Sequence, residues 1–177
     1  MRRILRVLGC VPQYSVVLPE DEPDLLLFPP LRAMWSRRGV PAQVLLSGSN
    51  ARRTVIGCIN LATGQCLFQV RYRQRAEDFQ AFLRQVHRRY RGWHVTLLLD
   101  SDSRHTTITS QALATEFGIQ KLWLPKRAPE LNPMDTLWGQ GKDAICSNKQ
   151  YASIDEQAAH FIHQLIVLWD AQAMQTS

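Results

Sequence analysis

Apolar and polar positions change period several times along the chain, and each change marks an element. Tyr14 to Leu18 reads Tyr-Ser-Val-Val-Leu, with the β-branched and aromatic content of a strand, and Pro19 with Glu20-Asp21-Glu22 is expected to end it. Residues 54–61 and 65–73 form two more strand-like runs. Ala62-Thr63-Gly64 separates them, and its glycine can supply the positive φ of a short hairpin loop. Phe79, Phe82, Leu83, Val86 and Tyr90 then recur at helical spacing, with Glu77 and Asp78 in the first turn and Arg88, Arg89 and Arg91 in the last. That predicts a helix over 76–91.

Gly92 closes this helix, and Val95-Thr-Leu-Leu-Leu-Asp100 follows as the continuous apolar run of a strand buried on both faces. A helix over 107–117, a short strand over 121–124 and a helix opening at Asn132-Pro133 come next. Asn is a preferred cap, Pro a preferred first residue, and Asp135 in the first turn faces free N–H groups. A final helix over 154–170 buries Ala158, Phe161, Ile162 and Leu165. Residues 22–50, rich in Pro and Gly, read as a long irregular connection with room for one short helix over 31–37. With no internal repeat, the succession predicts one α/β domain, a mixed sheet flanked by helices. Trp35 and Trp138, each on an apolar helical face, are expected in the core.

Composition narrows the function. The chain has 177 residues and a net charge of +6, concentrated in residues 31–100, which carry twelve Arg and three acids. Arginine in such excess suits bidentate contact with phosphate, although a solvated Arg-rich surface gives the same composition. No apolar run approaches the roughly 18 to 20 residues needed to cross a bilayer, so no membrane role is expected. Arg6 interrupts the apolar start before Gly9-Cys10, which argues against a lipoprotein signal. Four cysteines without a CxxC pair fit reduced thiols of a cytoplasmic protein.

Three acids stand at element ends: Asp21 after the first strand, Asp100 after the central one, and Asp135 in a helix's first turn. Each alone is an ordinary turn or helix-dipole residue. Together, on adjacent strands and a helix packed across them, they would repel unless cations held them, and oxygen-only ligation suits Mg²⁺ or Mn²⁺. His160 and His163 have a spacing seen in zinc sites but read as structural.

The local words around these acids are Leu-Leu-Leu-Asp100-Ser-Asp-Ser-Arg-His105 and Leu124-Pro-Lys-Arg-Ala-Pro129-Glu-Leu-Asn132-Pro133-Met-Asp135-Thr-Leu-Trp138-Gly-Gln-Gly-Lys142. They resemble the catalytic domain of mariner-superfamily transposases, in particular the bacterial insertion-sequence branch. Asp21-Glu22, the Phe-Pro-Pro-Leu to Trp35 stretch, Gly48-x-Asn50 and the hairpin from Gly57 to Gly64 agree. The resemblance implies a ribonuclease-H-like fold over 14–148, a short extension over 1–13 and a C-terminal helix over 149–177 on the same domain. It implies Asp21, Asp100 and Asp135 as catalytic metal ligands for two Mg²⁺ or Mn²⁺ ions, supported by Glu22, His105 and Asn132. DNA cleavage and strand transfer would follow, with Arg52, Arg53, Arg71, Arg73 and Arg75 as candidate contacts to double-stranded DNA, in a homodimer associated with the bacterial nucleoid.

Ser101 stands where that family usually has Asn, and Asp102 adds a charge beside the site. Gly139 and Gly141 are expected to weaken the helix bearing Asp135, by about 1 kcal/mol each. Only about thirteen residues precede the first strand, so a helix-turn-helix reader is expected on a separate chain. The rival readings are a non-catalytic DNA- or partner-binding remnant of a transposase and a host nuclease acting on RNA–DNA hybrids.

Overall fold

A computed structural model describes residues 13–46, 48, 50–125 and 131–175, with side chains to 168. Apart from Gln13, the expected N-terminal extension lies outside the described residues, as does the segment 126–130 of the long motif. The elements are β1 (Ser15–Asp21), β2 (Asp24–Leu26), β3 (Arg52–Ile59), β4 (Cys66–Arg71), α1 (Ala76–Arg89), β5 (His94–Leu99), α2 (Ile108–Glu116), β6 (Gln120–Trp123), α3 (Pro133–Ile145) and α4 (Ile154–Gln175).

The strands make one mixed sheet in the order β2-β3-β1-β5-β6, with β4 on β3. β1, β5 and β6 run parallel, while β3 is antiparallel to β1, β2 and β4. Helices lie against both faces of the sheet, and on the second face Leu98 of β5 packs with Val17 and Leu122. On one side Val16, Leu18, Ile56, Leu97 and Leu99 pack with Phe79, Phe82, Leu83 and Val86 of α1 and Ala114 of α2. On the other, Leu25, Val55 and Ile59 pack with Met134, Leu137 and Trp138 of α3 and Phe161 and Leu165 of α4.

Three expectations need correction. β1 runs through Pro19 to Asp21 instead of stopping at the proline. On the β3 side Leu61 N donates to the Val17 carbonyl at 3.2 Å and the registered pairs resume at Glu20, so Pro19 only interrupts that ladder while the parallel pairing with β5 carries the strand through it. The short helix over 31–37 is absent. There the Arg32 N–H donates to Asn148 Oδ1 at 2.8 Å and the Arg32 carbonyl accepts from Asn148 Nδ2 at 3.0 Å, so its backbone groups are spent on α3's exit. A short helix with no buried face is also marginal in water. Trp35 consequently lies fully in solvent, 101% exposed, whereas Trp138 is buried as expected.

Gly141 does more than weaken α3. A Cβ at this position would stand 2.6 Å from Leu165 Cδ2 and 2.8 Å from Phe161 Cε2, so the glycine lets α4 approach. Gly139 faces open space.

Candidate active site

The parallel pair β1 and β5 ends at the site. Pro19 lies opposite Leu98, and two residues further along the same register Asp21 comes beside Asp100. The pleat decides which face each acid takes. Val16 and Leu18 face α1, so Glu20 points that way, while Asp21 and Asp100 are in phase with Val17 and Leu98, which pack with Leu122 on the opposite face.

Asn132 fixes α3 at this edge. Its Oδ1 accepts from Met134 N at 3.1 Å as the helix cap, and its Nδ2 donates to the Glu20 carbonyl at 3.1 Å. The first turn of α3, with exposed Asp135 at its third position, therefore starts against the end of β1. One turn on, Trp138 lies over Gly57, the β3 partner of Asp21, where a Cβ would meet the Trp138 ring at 2.8 Å. The Trp138 indole N–H is turned toward Asp21 but makes no hydrogen bond of ordinary geometry.

The two strand-end aspartates differ electrostatically. Burial pushes the Asp21 carboxyl above the usual range, and the charges of Glu22 and Asp100 add to this. Asp100 moves the other way, held low chiefly by its hydrogen bond to His105. His105 Nδ1 lies 3.1 Å from Asp100 Oδ1, and Asp102 N donates to the same oxygen at 3.1 Å. Among the described residues, Asp100 Oδ2 is left open on a side chain 61% exposed.

Behind the aspartates lies a buried cluster. His105 Nε2 is 3.1 Å from Glu22 Oε1 and 3.6 Å from Glu20 Oε2, and the imidazole packs on Phe79 with ring centroids 4.4 Å apart. Burial opposes a charged imidazole, but hydrogen bonds to Asp100 and Glu22 and the charges of Glu20 and Glu22 raise His105 to about 11. Ligand atoms of Glu20, Glu22 and His105 come within 4.8 Å of one another, close enough to hold a metal ion. A protonated imidazole, however, has no lone pair for a metal and itself serves as the cation. Glu22 is further held by Gln74 Nε2 at 2.8 Å and Arg104 Nη2 at 3.5 Å. Burial drives Glu20, whose oxygens have no hydrogen-bond partner, well above the usual carboxylate range.

Arg104 also settles the extra charge at Asp102. Its Nε lies 2.5 Å from Asp102 Oδ1, and Arg104's hydrogen bonds outweigh burial to hold that carboxyl low. Of the five candidate DNA contacts, Arg52 pairs with Asp24 at 3.3 Å, Arg53 with Asp155 at 2.7 Å and Arg71 with Asp78 at 3.3 Å. Arg73 and Arg75 make no ion pair among the described residues.

The sequence reading missed Glu20, Gln74 and Arg104. Glu20 was legible, because period-two alternation after Val16 and Leu18 points it into the core. The Gln74 and Arg104 contacts to Glu22 depend on tertiary packing and leave no sequence signal. His160 packs against Tyr151 at a tilt, with centroids 5.2 Å apart, in keeping with a structural role.

The family model of the DDE superfamily endonucleases matches residues 17–157. The chain belongs to that family. It is 26% identical over 140 residues to the "Insertion element IS630 uncharacterized 39 kDa protein" of Shigella sonnei, covering 78% of this chain and 41% of that protein. It is also 33% identical over 69 residues to "Uncharacterized protein y4pE/y4sA" of Sinorhizobium fredii, 39% of this chain and 49% of that one. The DDE chain thus spans less than half the length of either relative. Among solved structures it resembles the "Mos1 transposase paired-end complex with left transposon end" (TM-score 0.68, 15% identity, covering 96% of this chain and 57% of that one). It is likewise similar to the "mariner Mos1 paired end complex with Mg" (TM-score 0.68, 16% identity, covering 98% and 59%). This likeness establishes the ribonuclease-H-like fold, and the family match makes the chain a DDE superfamily endonuclease domain. Among the described residues no helix is long and apolar enough to cross a membrane.

Proposed function

We propose that this DDE domain cleaves DNA strands and joins them to a target, with Asp21, Asp100 and Asp135 as the metal-binding carboxylates. The observation that carries the reading is the meeting of two parallel strand ends, bearing Asp21 and Asp100, with the Asn132-capped start of α3, bearing Asp135. The donor set fits a hard divalent cation. All three are oxygen ligands, Asp100 offers an open oxygen, and the raised Asp21 carboxyl sits in a negative field that a cation would relieve. When bound, a pair of Mg²⁺ or Mn²⁺ ions would polarise the phosphate and activate first a water and then a 3′-hydroxyl.

The protein's own contribution is to hold the carboxylates. Protonated His105 fixes Asp100 through Oδ1, and Asn132 ties α3 to β1. Arg73 and Arg75 are the candidates freest to meet DNA phosphate, while Arg52, Arg53 and Arg71 would have to exchange an ion pair for one. Double-stranded DNA is the partner. A homodimer, a separate helix-turn-helix chain and a place at the bacterial nucleoid belong to the same proposal. The test is nicking of transposon-end duplex by purified protein with Mn²⁺. The wild type should nick and Asp100→Ala should not, and cleavage that survives Asp100→Ala removes the mechanism.

A further inference from the structure

α1 runs from the carboxylate end of the sheet to the opposite end. Its core face carries Phe79, Phe82, Leu83 and Val86, so the helical period turns Arg84 and Arg88, one turn apart, straight out to solvent. Arg91 follows in the exposed turn beyond the helix. None of these three makes an ion pair among the described residues, unlike Arg52, Arg53, Arg71 and Arg104. Arg89 is not part of this set, because it donates to Gln65 Oε1 at 2.6 Å and lies over the Tyr90 ring.

Two residues beyond Arg91 begins an exposed aromatic pair. Trp93 is 46% and Tyr14 62% exposed, and their rings meet edge to face with centroids 5.9 Å apart. The acids of α1, Glu77 and Asp78, lie in its first turn at the far end. Glu116, at the end of the neighbouring α2, pairs with none of the arginines among the described residues. β5 separates this patch from Asp100 by six residues, about 20 Å of extended chain.

We propose that Arg84, Arg88 and Arg91 form a second DNA-contact face, holding the phosphate backbone of a duplex at the end of the sheet away from the carboxylates. Charge complementarity selects the occupant: three unpaired guanidinium groups facing outward match successive phosphates, and Trp93 and Tyr14 offer apolar contact to the sugars. The inference rests on the reading of this chain as a DNA-acting domain, but not on its chemistry.

The experiment is a salt series of duplex binding, followed by fluorescence anisotropy on a labelled duplex of arbitrary sequence. Each phosphate contact contributes about 0.9 to the slope of log affinity against log salt. Replacing Arg84, Arg88 and Arg91 together by Gln should lower that slope by about 2 to 3. The triple Lys variant, which keeps the charges, should retain the slope, and Asp100→Ala should leave it unchanged while losing cleavage. An unaltered slope in the Gln variant, with circular dichroism showing it folded, overturns the second face and leaves the catalytic reading standing. Loss of cleavage in Asp100→Ala with no duplex binding by any variant also overturns it.

Discussion

The imidazole of His105 carries a proton that the unfolded chain would lose near neutrality. Its folded pKa is raised from 6.5 to about 11, so this contribution to stability is complete below about pH 6.5 and drains away as pH rises toward 11. His105→Gln should therefore lower the melting temperature at pH 7, and the gap to the wild type should narrow steadily between pH 7 and 10. Thermal melts across that range measure it, and a constant gap would mean that His105 acts by packing on Phe79 alone. The three acids proposed as metal ligands are legible at this scale. Asp21, Asp100 and Asp135 each sit at an element end, where residue type and position can be read directly. The His105 cluster was only half legible, because Arg104 and Gln74 reach Glu22 through folding and not through spacing.

Among the elements, the strongly periodic ones were read almost to the residue. β5 and α1 are bounded by Gly92 and by their own apolar repeats, and the structure places them within a residue or two of the expected ends. The three-residue β2 was missed, since Asp24–Leu26 is too short to show a period and is defined by its pairing with β3. The helix expected over 31–37 failed for the opposite reason: an apolar spacing is present, but no neighbouring element covers it. The two glycines of α3 separate propensity from packing. Gly139→Ala should stabilise by up to about 1 kcal/mol, because it adds helix propensity in open space. Gly141→Ala should destabilise by about 1 to 3 kcal/mol, because its methyl meets Leu165 and Phe161. Paired thermal melts decide this, and equal effects would show that α3 and α4 are not in close contact there.

At the scale of the whole molecule, the sheet has two ends with different charge. The C-terminal ends of β1 and β5 gather the acids, and toward the opposite end stand Arg84 and Arg88 of α1 and Arg91, which make no ion pair among the described residues. The basic middle of the chain is therefore two surfaces, one beside the carboxylates and one away from them. Its partition was hidden in the sequence, because only the fold shows which arginines are already held by Asp24, Asp78 and Asp155.

Two acidic groups are candidate metal ligands in this molecule, the proposed Asp21, Asp100 and Asp135 and the buried Glu20, Glu22 and His105 cluster. Titration calorimetry with Mn²⁺ separates them most directly. Because burial holds the Glu20 carboxyl toward its neutral form, Glu20→Gln is a near-isosteric change and should leave Mn²⁺ binding intact, whereas Asp21→Asn and Asp100→Asn should abolish it. Binding that survives Asp100→Asn and disappears in Glu20→Gln would contradict the assignment of the metal to Asp21, Asp100 and Asp135.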